Sequence, residues 1–190
     1  MGISLLNQGK YDQAIYFLKR GLKISPDNHN LTENLAVALI KKGDYEEAMM
    51  LCERSLKVYP HNGFIQNWLG YLYSLQGKYK KAIFLFDDSI QYYPDHEMLY
   101  FNKTLALFCQ DEVQEEKIKK VFEMGIQVIK KKSQKIDSLV ENFKIEMNRI
   151  GKEVECPYLE SEDIANLERI HKGFEYVLNL LRLEIGKVEI

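Results

Sequence analysis

LGYLYSLQGKYKKAIFLFDDSIQYYP, residues 69–94, is the stretch from which the fold can be read. It ends on Pro94, with Gly77 seventeen residues before it, Tyr79 fifteen before and Ala82 twelve before. A step of 34 residues upstream meets Gly43, Tyr45, Ala48 and Pro60, and a second step meets Gly9, Tyr11, Ala14 and Pro26. Small residues keep the same phase, as Gly2, Ala36 and Gly70 and again as Gly21, Ser55 and Ser89. Self-similarity at one fixed period marks a repeat array. Such arrays act mainly through a surface, so a binding role is expected ahead of catalysis.

One period reads as a helix, a tight turn and a second helix. Leu35, Ala36, Leu39 and Ile40 recur at helical spacing, Gly43-Asp44 interrupts, and Tyr45, Ala48, Met49, Cys52 and Leu56 resume the pattern. Pro60 ends the second helix, because its ring cannot continue the helix and disfavours helical geometry in the residue before it. The small residues fall where paired helices cross closely, which sets Ala36 against Ala48. Gly43 is placed where the turn needs a backbone shape that side chains resist.

With Leu69-Gly70, Tyr73, Gly77, Tyr79, Ala82, Phe86 and Pro94, the third repeat resembles the tetratricopeptide repeat (TPR) family. The resemblance runs over roughly residues 1–130 and implies an all-α, right-handed TPR solenoid. A fourth copy starts near Glu97 and keeps Tyr100, Thr104 and Leu107, but its turn, Asp111-Glu112-Val113, lacks the glycine and tyrosine. Its second helix fits with about two extra residues, which places Phe122 and Gly125 in register. The expected organisation is an array over residues 1–130 and a helical C-terminal extension or cap over 131–190.

Composition agrees. The 190 residues are 46% hydrophobic, enough for one continuous core, and 26 basic residues stand against 28 acidic ones. So even a balance gives no general attraction to nucleic acid or acidic lipid. Cys52, Cys109 and Cys156 are odd in number and form no C-x-x-C pair, which favours reduced thiols and a cytoplasmic setting. Neither a bilayer-spanning apolar run nor a signal-peptide core is present, and Leu6 stands where Met1-Gly2 myristoylation wants Ser or Thr.

Beyond the array, residues 113–150 contain no proline and only Gly125, so one long helix or two abutting ones is expected. Ile136, Leu139, Val140, Phe143, Met147 and Ile150 make one apolar stripe. Gly151 to Pro157 reads as a loop, and Ser161 opens a helix with Glu162 and Asp163 at its positive end. Ile164, Leu167, His171, Phe174, Leu178, Leu181, Ile185 and Val188 follow at steps of three and four. This seam is read as a cap over the open end of the array, with an intermolecular coiled coil as the alternative. At the other end, the first helix of repeat one is short. It is read as part of a larger array, as an edge covered by another molecule, or simply as a short helix.

The family resemblance, with helical phase, assigns the concave face to the first helix of every repeat. That face carries Asn34, Val37 and Lys41, then Phe64, Asn67, Trp68, Tyr71 and Leu75, then Met98, Phe101, Asn102, Leu105 and Phe108. It is rich in aromatic and apolar side chains, of the kind that anchor binding surfaces. Trp68 is displaced by two residues from the family's usual tryptophan position, which Gln66 occupies here. Asn34 and Asn102 fall where related proteins hold the backbone of an extended peptide, an amide offering both donor and acceptor. Lys41 and Lys103 alone cannot make the basic clamp that TPR domains use on acidic chaperone tails. An apolar or amphipathic protein segment is therefore the expected ligand. The competing reading fills the groove with the chain's own C-terminal helix.

Other chemistry is sparse. His29, His61 and His96 follow the inter-repeat prolines and His171 stands apart, without metal-ligand spacing. Lys130-Lys131-Lys132 with Lys135 lies among Glu115, Glu116 and Glu123, as on a solvated helix face. Cys109 or Cys156 with His171 lacks an oxyanion site. The expectation is a non-catalytic adaptor or scaffold with no cofactor or metal, no nucleic acid and no membrane partner. The alternatives are a self-assembly module, homo-oligomeric through the two ends, or a substrate-recruiting or regulatory domain of a larger enzyme.

Overall fold

A computed structural model of the chain describes residues 1–112, 114–131 and 161–186, together with positions 141, 144, 145, 148 and 150. Among these residues the structure is all-α. The helices are α1 (Gly2–Asn7), α2 (Tyr11–Ile24), α3 (His29–Lys42), α4 (Tyr45–Val58), α5 (Gly63–Leu75), α6 (Tyr79–Tyr92), α7 (Glu97–Phe108), α8 (Glu115–Lys131) and α9 (Ser161–Gly186). They fall into two compact units, Met1–Leu72 and Tyr73–Ile190, which divide inside α5.

The 34-residue period maps onto helical hairpins as expected. The turns at Gly9, Gly43 and Gly77 have φ of +72°, +95° and +69°. At Gly43 the left-handed residue caps α3, and its amide donates to the Leu39 and Ile40 carbonyls. The next helix pair begins with a second repeated device. Asn28 Oδ1 accepts from the Leu31 amide at 3.1 Å, and 34 residues on, Asn62 Oδ1 accepts from the Ile65 amide at 3.1 Å.

In the first unit α1 packs on α2, α2 on α3, and α3 on α4. Ala14, Ala36, Ala38, Ala48 and Cys52 are fully buried between them, beside Leu18, Leu39 and Ile40. Helices approach this closely only where side chains are small, and the larger residues then interdigitate around the crossings. Ala36 and Ala48, expected at such a crossing, are both inaccessible to water.

In the second unit α7 is central. It packs against α6, α8 and α9, and Leu99, Tyr100, Phe101, Thr104, Leu105, Ala106 and Leu107 are all buried. Polar groups on this helix are satisfied locally: Tyr100 Oη donates to the Pro94 carbonyl at 2.8 Å, and Thr104 Oγ1 to the Tyr100 carbonyl at 2.8 Å. Gly125 of α8 stands in the register expected of a degenerate fourth repeat. A Cβ there would lie 3.0 Å from Tyr100 Cβ and 3.1 Å from Phe101 Cζ. The helical stretch after residue 113 is described as far as Lys131, the end of α8. Of the stripe expected from Ile136 onward, only Ile150, which is buried, lies among the described residues. The expected loop at 151–157, with Cys156, lies outside them.

Candidate protein-interaction surface

In the first unit, the predicted face is built on α3 and the start of α5. Asn34, Val37 and Lys41 are half-buried at spacings of three and four along α3. The Asn34 side chain turns back on its own helix, its Nδ2 donating to the Asn30 carbonyl at 2.7 Å. On α5, Phe64, Trp68 and Tyr71 form an aromatic ladder. Phe64 meets Trp68 edge-to-face at 6.3 Å between ring centroids, and Trp68 meets Tyr71 the same way at 6.1 Å. Such pairs fix one another's orientation and add about 0.5–1.5 kcal/mol each beyond burial.

Exposure falls along the ladder, from Phe64 at 38% through half-buried Trp68 to Tyr71 at 3%. Asn67 beside them is buried. The Trp68 indole nitrogen is shielded from water and has no hydrogen-bond acceptor among the described residues. An unpaired buried donor of this kind costs about 1–3 kcal/mol.

In the second unit, Leu75, Met98 and Phe108 are half-buried. Phe101 and Leu105 are fully buried and Asn102 nearly so. The Phe101 ring packs edge-to-face on Phe122 of α8 at 5.6 Å, and the Phe108 ring stacks on Tyr176 of α9 at 4.7 Å. Helix α9 runs along α7 with Gly173 at the closest approach. A Cβ on Gly173 would sit 2.5 Å from Leu105 Cδ1 and 3.1 Å from Cys109 Sγ. Cys109 Sγ donates to the Arg169 carbonyl at 3.4 Å, while Arg169 Nη1 donates to the Cys109 carbonyl at 3.3 Å and to Asp111 at 2.9 Å. On α9, Leu167, Ile170, Phe174, Val177, Leu178 and Leu181 are all buried.

Burial also sets the chemistry of the titratable groups in this region. It pushes the Cys109 thiol up to about 12 despite the opposing Arg169 cation, and the Tyr79 phenol up to about 12. Cys52, buried in the first unit, is likewise pushed to about 12. These thiols are neutral and shielded, the reverse of a nucleophile's environment. Among the described residues no group of His, Cys, Asp and Glu is arranged to hold a metal, and no helix is long and apolar enough to cross a membrane. On α7 the contact with α9 matches the competing reading, in which the chain's own C-terminal helix covers the face. Gly173 was a further signal for it, since glycine inside a helix is costly unless something approaches closely.

Comparison with curated proteins gave no match. Among solved structures, the MamA fragment 41-end from Desulfovibrio magneticus RS-1 has a TM-score of 0.60 at 18% identity, covering 95% of this chain and 91% of that one. MamA AMB-1 has a TM-score of 0.57 at 20% identity, with 96% of each chain covered. A tetratricopeptide repeat protein from Parabacteroides merdae ATCC 43184 has a TM-score of 0.51 at 18% identity, covering 97% of this chain and 64% of that one. At these identities the likeness speaks for the fold. The tetratricopeptide repeat family model matches residues 5–62 and 39–101, which together span just over half of the chain. Stacked repeats of this kind present extended surfaces for protein contact. With the turn glycines, the buried alanine crossings and this match in agreement, the chain belongs to the tetratricopeptide repeat family.

Proposed function

We propose that the chain is a non-catalytic adaptor that holds an apolar or amphipathic segment of a partner protein. Its contact surface is the first-helix face of the unit Met1–Leu72. The observation that carries this reading is the aromatic ladder Phe64–Trp68–Tyr71, anchored by buried Tyr71 and opening to solvent at Phe64. Large rings held in place at one end and wet at the other lose little entropy on binding, the quality that makes aromatic anchors dominate interfaces. Val37 and Lys41 of α3 add an apolar and a basic contact. On α7, Phe101 packs on the chain's own helix α8 and Leu105 and Phe108 on α9, so the partner's contacts are assigned to α3 and α5.

The test is affinity capture with wild type and with a Phe64→Ala, Trp68→Ala double variant of unchanged helical circular dichroism. Partners held by wild type should be lost from the variant. Retention of the same partners at the same yield would refute the surface.

A further inference from the structure

A second pattern repeats on the opposite helix of each hairpin. Each outer helix carries a four-residue stripe at steps of four, which places the side chains on one face. On α2 the stripe reads Asp12, Tyr16, Arg20, Ile24, and on α4 it reads Glu46, Met50, Arg54, Val58: acid, apolar, base, apolar. On α6 the signs reverse, as Lys80, Phe84, Asp88, Tyr92: base, apolar, acid, apolar. The apolar members are among the most exposed in the chain. Tyr16, Met50 and Phe84 are 57%, 64% and 71% accessible, and Ile24, Val58 and Tyr92 are 83%, 62% and 52%. Apolar exposure recurring at every period marks an interaction surface rather than scattered surface residues.

The charge order distinguishes the helices. Acids at the start and bases at the end of α2 and α4 suit the helix dipole. Helix α6 has no acid in its first turn and no base in its last, and carries Lys80 and Lys81 in the first turn instead. Its own dipole disfavours that arrangement. Lys81 has a local reason in the Tyr73 ring 5.7 Å away, and Asp87 has one in its ion pair with Lys103. Lys80 has no such contact among the described residues.

We infer that the chain self-associates, with α6 of one copy lying parallel to α4 of a second copy. In that register Lys80 meets Glu46, Phe84 meets Met50, Asp88 meets Arg54 and Tyr92 meets Val58. Twelve residues of helix place these four matches over about 18 Å, and rows at steps of four align when the two helices cross at about 50°. Helix α4 is the receiver, in preference to α2. On α2 the stripe is engaged within the chain, Asp12 pairing with Lys42 at 2.9 Å and Arg20 lying 5.7 Å over the Tyr16 ring. Glu46 and Arg54 have no partner among the described residues. The α4 stripe also borders an open trench of about 550 Å³, lined by Leu22, Leu35, Leu51, Arg54, Val58 and Tyr59, into which the Tyr92 ring of the arriving helix fits as a knob. The contact joins two different faces, so it is heterologous, and association continues until it closes on itself.

Light scattering across a concentration series reads this directly. The mass of wild type should rise above the 22.3 kDa of one chain, and a single-chain mass at every concentration would overturn the inference. Two charge-reversed chains set the register: Lys80→Glu with Asp88→Arg, and Glu46→Lys with Arg54→Glu. Each alone should weaken association roughly tenfold or more, because like charges then face each other, and mixing the two should restore it. Folded variants that keep the wild-type mass, or a mixture that fails to recover it, would each sink the parallel pairing. Phe84→Glu, at a position already 71% exposed, is a milder second variant that should also dissociate the assembly. Phe64 and Trp68 take no part in this pairing, so Phe64→Ala with Trp68→Ala should leave the mass unchanged, and a loss of mass there would count against the assignment to α4 and α6.

Discussion

Replacing Gly173 by alanine tests the seating of α9 on α7, because two opposed effects of similar size meet at that position. In an ordinary helix interior the change is favourable by about 1 kcal/mol. Here the new methyl carbon would stand 2.5 Å from Leu105 Cδ1, 3.1 Å from Cys109 Sγ and 3.4 Å from Phe108 Cδ1. Leu105 and Cys109 are fully buried, so neither has open space to retreat into. Overpacking of that kind costs about 1–3 kcal/mol, so a net loss of roughly 1 kcal/mol is expected, or about 2–4 °C in Tm for a chain of this length. Leu105→Ala alone should cost about 2–5 kcal/mol through the cavity it leaves. Together the two changes relieve each other, because the removed leucine makes room for the methyl. The double variant should therefore be more stable than the sum of the singles by about 1–2 kcal/mol. Urea denaturation followed by circular dichroism on the four proteins measures the cycle. A stabilising Gly173→Ala, or strictly additive losses, would show that α9 does not rest on Leu105.

Asn62→Ala should cost about 1 kcal/mol in the same assay, since it removes the cap on the Ile65 amide and the 2.8 Å bond to Glu33. Gly43→Ala should cost about 1–2 kcal/mol through backbone strain alone, because φ is +95° and no atom lies within 4 Å of the added carbon. Cys52 and Cys109 should resist a thiol reagent such as DTNB in the native protein and react once it is denatured; fast native labelling of either would contradict their burial. Both thiols have folded values near 12, raised by burial, so the unfolded chain releases these protons first as pH rises. Stability should then be fully present below about pH 9 and fall between about 9 and 12 by up to roughly 1.4 kcal/mol per thiol per pH unit. A Cys52→Ala, Cys109→Ala protein should lose much of that slope.

The hairpins were legible in the sequence because their signals are local. Gly43, Ala36, Ala48 and Pro60 each answer to a turn, a crossing or a helix end within one period, and the period repeats the message. Gly125 also fell in register, although its turn lacks the usual glycine and tyrosine. The environment of the α7 face was harder to read. Phe101, Leu105 and Phe108 have the pattern of a helix with one apolar flank whether that flank meets a ligand or another helix of the same chain. What decides between them is the return of α9 from some 60 residues away, Arg169 to Cys109, and periodicity holds no information on contacts so distant in sequence. The Phe64–Trp68–Tyr71 ladder was visible as a set of positions, while its gradient of exposure was not.

Helix α9 touches the second unit at points well separated along the chain. Asn166 lies beside the Gly77 turn, Arg169 grips the end of α7, and Lys130 near the end of α8 reaches Glu184 at 3.4 Å. Those fixed stations make the helix a measuring rod. A tandem duplication of one hairpin would part the stations by a whole repeat if it fell between Gly77 and Lys130. The rod could then reach one neighbour but not the others. Lengthening is thereby steered toward the N-terminal side of Gly77, where α9 makes none of these measured contacts.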